Sequence, residues 1–411
     1  MKHEVVITAY GIVSPLGNTP EEFEKRMFAG ESGVKSIKGN LVGENFPVPY
    51  GAVIGRSDLP ESEFFKTADK EKILKSWLMT AVATEQCLKN IPVDTKVDAI
   101  VYGTADGVSF ELVTEVLQGG LGEDYDHRRF CCESSLDVLN SVLKSKGMSD
   151  VSVENVISVN SACASGNQTI GMAYQGISTG RWERCLVGGV DARCEPSNFL
   201  NFFLLGALTT DDVEPHKASR PFAKDRSGFV RGEGAAVLMM ETRESAVKRG
   251  AKILGVVKGY GCTSDAYRLT DGRDDGSAVM QAIEEALSTA GIKKEDIDYI
   301  NAHGTSTPLN DRLETLAIKK VFGAGAYKIP VSSLKSQIGH STIASSAIEA
   351  VACLIMLQRQ KVSPTINYHV PDPECDLDYV PNESRDVKLT HVLSNSFGFG
   401  GQNACIVFSK E

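Results

Sequence analysis

A single thiol stands at the centre of SVNSACASGN, residues 158–167, between a β-branched run that reads as a strand and the start of a helical pattern. At such a turn a cysteine faces the positive end of the helix dipole and its unpaired N–H groups, which favour the thiolate and predict a depressed pKa for Cys163. Ala162, Ala164, Ser165 and Gly166 keep the turn narrow, so a thioester can reach the sulfur while backbone amides hold its oxyanion. A core cysteine at a crowded turn is the alternative reading. Two histidines have similar settings, His303 in NAHGTSTPLND and His340 in SSLKSQIGHS, each after a strand and among Gly, Ser and Thr. A thiol and two loop imidazoles in one chain make a candidate catalytic set. Lys335, five residues before His340, would raise the local positive potential and favour neutral histidines, with Asp311 and Glu314 as candidate carboxylate partners. Finally, NSFGFGGQN (395–403) alternates bulk with freedom: Phe397 and Phe399 among Gly398, Gly400 and Gly401 make either a swinging aromatic gate or a close-packed turn.

These residues require elements that bring positions 163, 303, 340 and 397–401 to one place. An internal repeat offers them. The stretch AVATEQCLKNIPVDTKVDAIVYGTADG (81–107) parallels AIEEALSTAGIKKEDIDYINAHGTSTP (282–308), each a periodic helix, a polar turn, then an Asp-containing strand ending in a Gly-rich loop. We likewise pair VISVNSACASGNQ (156–168) with VLSNSFGFGGQNA (392–404), and VVITAYGIVSPLG (5–17) with ILGVVKGYGCTSDA (253–266). Two copies of one α/β unit follow, residues 1–250 carrying the thiol and 251–411 the two histidines. Val- and Ile-rich strands alternating with helices imply mixed sheets covered on both faces. If each half has its own sheet, stacking them gives alternating helix and sheet layers, with equivalent loops meeting at a pseudo-twofold axis.

Composition narrows the class. With 411 residues, 42% hydrophobic and 23% charged, the chain is long enough to bury two cores and reads as an ordinary globular protein. The net charge of −10 argues against nucleic acid, which needs a basic face. The ten cysteines include no CxxC pair and no clustered His to complete a zinc site, so nine read as buried reduced thiols and no metal is expected. The N-terminal apolar run Val5 to Val13 reads as a buried strand rather than a leader, and no membrane span is expected, which points to the cytoplasm. Local basic candidates are Arg128, Arg129 and the lysines of DKEKILKSW (69–77), among them Lys72; they read either as a docking patch for an acidic partner or as a solvated helix face.

Taken together, SACASG, NAHGTSTP, KSQIGH and NSFGFGG, in this order and spacing, resemble the elongating (synthase II) type of β-ketoacyl-[acyl-carrier-protein] synthase. The resemblance runs through essentially the whole chain, to PTINYHVPDPECDLDYVPNESRD (364–386). It implies a thiolase fold, duplicated α/β halves stacked as αβαβα layers. It further implies that Cys163 takes an acyl chain from acyl carrier protein by transthioesterification. His303 and His340 would then hold the malonyl thioester carbonyl and promote loss of CO2. The resulting carbanion would attack the acyl-cysteine to give a 3-oxoacyl product. On the same resemblance the N–H groups of Cys163 and Phe399 form the oxyanion hole, Phe399 gates malonyl entry, and Lys335 and Glu314 order the site. Val108, Phe202, Thr305 and Thr307 would line the substrate pocket, and no metal or organic cofactor is required. Thiolases use a second catalytic cysteine and initiating synthases carry Asn where His340 stands, so both are disfavoured.

Departures from the family pattern bear on the pathway. GHSTIASSAIEA puts Ile343 and Ser346 where the family usually has glycine, DAYRLTDGRDDG carries Arg268, and GTADGVSF (103–110) replaces a Gly-rich stretch beside the acyl pocket. TPLNDRLET (307–315) is similar to the ketosynthase subunit of type II polyketide systems, which pairs with a catalytically silent homologue, the chain-length factor. Specialised polyketide synthesis in such a heterodimer is therefore expected first, with housekeeping fatty-acid elongation as a homodimer close behind. A non-catalytic chain-length-factor-like role is a third reading, against which the retained Cys163, His303 and His340 count. Those variants set out the chemistry expected: Cys163→Ala loses condensation, while His303→Ala and His340→Ala block decarboxylation yet leave acylation of Cys163 largely intact.

Overall fold

The computed structural model describes residues 3–67, 73–105, 134–148 and 151–411. Ten strands form its main sheet: β1 (Val5–Val13), β2 (Ala99–Gly103), β3 (Val156–Val159), β4 (Arg184–Asp191), β5 (Gly234–Thr242), β6 (Gly255–Ser264), β7 (Tyr299–Asn301), β8 (Val331–Ser332), β9 (His391–Gly398) and β10 (Gln402–Ser409). Six helices matter for the site: α1 (Lys75–Leu88), α2 (Ser134–Ser145), α3 (Ser165–Ser178), α4 (Ser277–Ala290), α5 (Pro308–Phe322) and α6 (Ser345–Arg359).

The strand order is β8-β7-β9-β10-β6-β1-β5-β4-β2-β3. Read from either edge the pattern is the same: two parallel pairings, then two antiparallel ones. Each strand of the first five thus has its counterpart five strands later, and each of α1 to α3 its counterpart three helices later. The expectation of two separate sheets needs amending. The halves join where Val5–Ile7 of β1 pair antiparallel with Gly255–Val257 of β6, so one hydrogen-bonded ladder runs through both.

Period-two alternation builds the layers. On β5, Ala236, Leu238 and Met240 face an inner core while Ala235, Val237 and Met239 face an outer one. On β10, Ala404, Ile406 and Phe408 turn inward, and Cys405 and Val407 outward. The inner core contains α3 and α6, which touch strands of both halves; α1 and α2 cover one outer face, α4 and α5 the other. Helix, sheet, helix, sheet, helix is therefore the layer order. Thr342–Arg359 is long and apolar enough by composition to cross a membrane, but 89% of it is buried, because α6 is apolar all round and sits between two sheet faces. The helices α3 and α6 cross closely at Gly166, where a Cβ would lie 2.4 Å from the Ala347 nitrogen.

This topology also corrects the pairing of the thiol segment. VISVNSACASG does not correspond to VLSNSFGFGG: β3 is the counterpart of β8, and β9 of β4. The true copy of SACASG (161–166) is STIASS (341–346). Each turn has a non-glycine residue at positive φ, Ala162 at 49° and Thr342 at 37°, then a short 3-10 segment, then a central helix. Cys163 and Ile343 occupy equivalent places.

Candidate active site

The thiol is delivered by the turn from β3 into α3. Ser165 Oγ locks that turn, accepting from the Ser161 N–H at 2.9 Å and donating to the Ala162 carbonyl at 2.7 Å. Cys163 is 4% exposed. Opposite it, the turn from β8 into α6 carries His340, fixed by its own N–H to the Val230 carbonyl (2.7 Å) and by its carbonyl accepting from the Gly232 N–H (3.0 Å). Its ring spans two partners: Nε2 lies 3.1 Å from Cys163 Sγ, and Nδ1 lies 2.8 Å from Ser345 Oγ.

His303 follows β7. Its N–H and that of Gly304 both donate to the Glu314 carboxylate at 2.8 Å, and Asn395 Nδ2 donates to the same group at 3.2 Å. Glu314 therefore holds the turn rather than the imidazole. The two histidine rings meet edge to face at 5.3 Å, and Phe397 packs on His303 at 5.6 Å. The donor atoms of Cys163, His303 and His340 all lie within 4.8 Å of one another, a spacing a thiophilic divalent ion could also exploit.

Electrostatics follow from burial. It pushes the Cys163 thiol up to about 11, with Lys335, the Phe399 N–H and Arg231 pulling the other way. The depressed pKa expected from the helix dipole is thus not found; burial costs the thiolate more than one helix end returns. Both imidazoles are held well below the usual histidine range, first by burial, then by Lys335, with His340 itself adding to His303 and Arg231 to His340. A neutral His340 Nε2 beside a protonated thiol can take its proton as the sulfur attacks. Burial pushes Glu314 up to about 7 against its three N–H donors.

Lys335 is buried as expected, but neither Asp311 nor Glu314 is its partner. Its Nζ bonds Glu349 Oε1 of α6 at 2.5 Å, while Asp311 accepts from the Phe222 N–H. Sequence reasoning missed Glu349, although a lone acid inside SSAIEAVACLIML signals a buried partner. It also missed Ser345, whose hydroxyl gave no signal, and Arg231, a fully buried cation that bonds the His340 carbonyl at 3.1 Å and Asp191 at 2.6 Å.

The Gly-rich run is the hairpin between β9 and β10. A Cβ on Gly398 would stand 2.7 Å from the Ser161 carbonyl and 3.1 Å from the Cys163 nitrogen, so only glycine lets the hairpin close on the Cys163 turn. That approach aims the Phe399 N–H at the Cys163 sulfur. Gly400 and Gly401 take positive φ at 82° and 77°. Cys163, both histidines, Thr305, Thr307, Phe397, Gly398, Phe399 and Gly401 line a cavity of about 290 Å³. Phe202 is not on its wall: it packs edge to face on Phe229, which is, and lies 6.3 Å from Phe399. Lys72, Val108, Arg128 and Arg129 lie outside the described residues.

Family models match over both halves: beta-ketoacyl synthase, N-terminal domain, over residues 155–246, and its C-terminal domain over 254–369. A 3-oxoacyl-[acyl-carrier-protein] synthase 2 of Synechocystis sp. is 36% identical over 416 residues, covering 100% of this chain and 98% of that protein.

The chain belongs to the β-ketoacyl synthase family.

Its fold is the thiolase fold of that family's ketosynthases, and it is an acyltransferase-type enzyme. A putative polyketide beta-ketoacyl synthase 1 of Streptomyces halstedii is also 36% identical, over 425 residues, 100% of this chain and 98% of that protein. Among solved structures, a type II PKS acyl-carrier protein in complex with its ketosynthase bound to the hexaketide aligns with a TM-score of 0.87 at 33% identity, covering all of both chains. A 3-oxoacyl-[acyl-carrier-protein] synthase and a polyketide beta-ketoacyl synthase thus match this chain at the same identity.

Proposed function

We propose that this ketosynthase extends acyl chains on acyl carrier protein in a specialised type II polyketide pathway. The acyl group moves from the carrier's thioester to Cys163 Sγ, and the carrier thiol departs with a proton. A malonyl-loaded carrier then loses CO2 with its thioester oxygen held by His303 and His340. The enolate carbon attacks the acyl-cysteine carbonyl, whose oxyanion rests on the N–H groups of Cys163 and Phe399; the carbon–sulfur bond breaks, 3-oxoacyl carrier protein leaves, and the Cys163 thiolate takes up a proton from solvent. Lys335 and Glu314 keep the site in order, and Phe399 gates malonyl entry. Residues 1–250 supply the nucleophile and 251–411 the histidines. No cofactor enters the scheme, and the protein works in the cytoplasm.

The observation that carries the chemistry is the cluster of one thiol and two neutral imidazoles at a cavity wall. For the pathway, support comes from TPLNDRLET, the stretch similar to polyketide ketosynthases: Leu309, Asn310 and Leu313 of it line that cavity, where they touch whatever chain grows there. A chain-length-factor homologue is the partner this reading calls for. Fatty-acid elongation as a homodimer is the second reading, favoured by the Synechocystis relative at equal identity. Intact-protein mass spectrometry of Cys163 with carriers of graded acyl length, followed by malonyl carrier and product analysis, decides between them. Polyketide function predicts loading without extension until the homologue is added, or repeated extension to keto or polyene chains. A ladder of single-step 3-oxoacyl products from saturated chains, made by the chain alone, would overturn it.

A further inference from the structure

The turn that carries His340 is held differently from its copy in the other half. In SACASG the Ser165 hydroxyl closes the bend from within, bonding the Ser161 N–H and the Ala162 carbonyl. In STIASS the equivalent Ser345 turns its hydroxyl to the His340 ring and to Ser341 Oγ. Thr342 nevertheless stands at a φ of 37°, a left-handed conformation that a β-branched residue keeps only where its surroundings impose it.

The support comes from outside the turn. Arg231, fully buried, donates from Nη1 to the carbonyls of His340 at 3.1 Å and Gly232 at 2.5 Å, from Nη2 to Asp191 Oδ1 at 2.6 Å, and from Nε to Asn198 Oδ1 at 2.9 Å. The other oxygen of Asp191 accepts from the Thr342 hydroxyl. One ion pair therefore grips the turn on both sides of Ser341. Arg193 bonds the same carboxylate at 2.8 Å; against its burial, the two arginines and Thr342 hold Asp191 well below the usual carboxylate range, so the pair is ionised.

The guanidinium also reaches the imidazole by a second route. Its carbon lies 5.7 Å over the Phe202 ring, Phe202 packs edge to face on Phe229 at 5.4 Å, and Phe229 packs edge to face on the His340 ring at 5.1 Å. A neutral side chain could fill this space without the cost of desolvating a charge. Only the planar fork of an arginine meets two carbonyls and a carboxylate at once.

We propose that Arg231, braced by Asp191, is a positioning residue that sets the place of His340 against the malonyl thioester oxygen. The inference rests on the ketosynthase reading above. Arg231 is not on the cavity wall, so it acts through the backbone and ring of His340 rather than on the substrate.

Full-length Arg231→Met keeps the reach of the side chain and removes its donors, and Arg193 still faces Asp191, so the carboxylate keeps a cation. The kcat for CO2 release from malonyl carrier should fall about tenfold or more while KM stays within about twofold, because a misplaced imidazole impairs the reaction and not the docking. Thr342→Val, which removes only the hydroxyl, should act in the same direction, and Thr342→Ser, which keeps it, should stay within about threefold of the parent. In protein whose histidines carry nitrogen-15, the His340 ring signals should move in Arg231→Met and Thr342→Val and stay in place in Thr342→Ser. Should Arg231→Met not fold, the two threonine variants carry the test. Parent-like kcat, or His340 ring signals that stay in place, in a folded Arg231→Met or Thr342→Val protein would overturn the proposal. If the parent itself releases no CO2, the ketosynthase reading fails while the ring signals still decide the role of Arg231.

Discussion

A thiol raised to about 11 and an imidazole 3.1 Å away define how Cys163 reacts. Alkylation by iodoacetamide should rise with pH by about tenfold per unit through pH 8 to 10, because only the thiolate attacks and its fraction grows in that proportion. A plateau near neutral pH would mean a pre-formed thiolate and sink this account. The same shift bears on stability: with its folded value above the ordinary 9.0, the group's contribution is fully present below pH 9 and lost as pH rises through about 11. The contact also changes what the His340 variant should do. His340→Ala is expected to slow loading as well as decarboxylation, whereas His303→Ala, whose residue is not hydrogen-bonded to the thiol, should spare loading. At this scale the sequence was legible wherever a chemically distinctive residue sat among Gly, Ser and Thr, which is how Cys163, His303, His340 and Lys335 stood out. It was not legible for environment. Nothing in SACASG says how dry the turn is, and Lys335 and Glu349 meet only because a helix that begins ten residues later packs back across the lysine.

At the scale of elements, the Cys163 turn and the β9–β10 hairpin act as two jaws separated by the absence of one methyl group. Gly398→Ala should leave the fold intact, since the hairpin can swing outward, but withdraw the Phe399 N–H from the sulfur. Cys163 acylation should then fall by about 10²-fold, the cost of removing one oxyanion donor, with little change in the thermal midpoint. Unchanged acylation in the folded variant would show that the hairpin does not supply the oxyanion hole. Helices and strands were readable from periodicity and Val/Ile enrichment, and the pairing of 81–107 with 282–308 holds as α1 and β2 against α4 and β7. The pairing of the thiol segment with the hairpin failed for a definite reason. Strand, Asn-Ser and small residues describe any tight turn at a sheet end, and only the strand order distinguishes one that feeds a central helix from one that doubles back.

The molecule as a whole is two topological halves around one shared core. The cluster holding α3 and α6 draws Leu238 and Met240 from the first half and Ile406 and Phe408 from the second, so neither half can bury its inner face alone. Residues 1–250 and 251–411 produced separately should be insoluble or lack a cooperative unfolding transition, while co-expression should recover a complex with an acylatable Cys163. Two independently folded, monomeric halves would contradict that view of the core. The halves are near-equal in architecture and unequal in chemistry, and the inequality is sharpest at the paired turns. STIASS copies the backbone of SACASG down to its left-handed residue, yet puts Ile343 where the thiol stands, packed against Gly103 and Gly189 of β2 and β4. In architectural terms it is a brace cast in the same mould: a bend that carries no thiol still has to be maintained, because the turn that carries one packs against it.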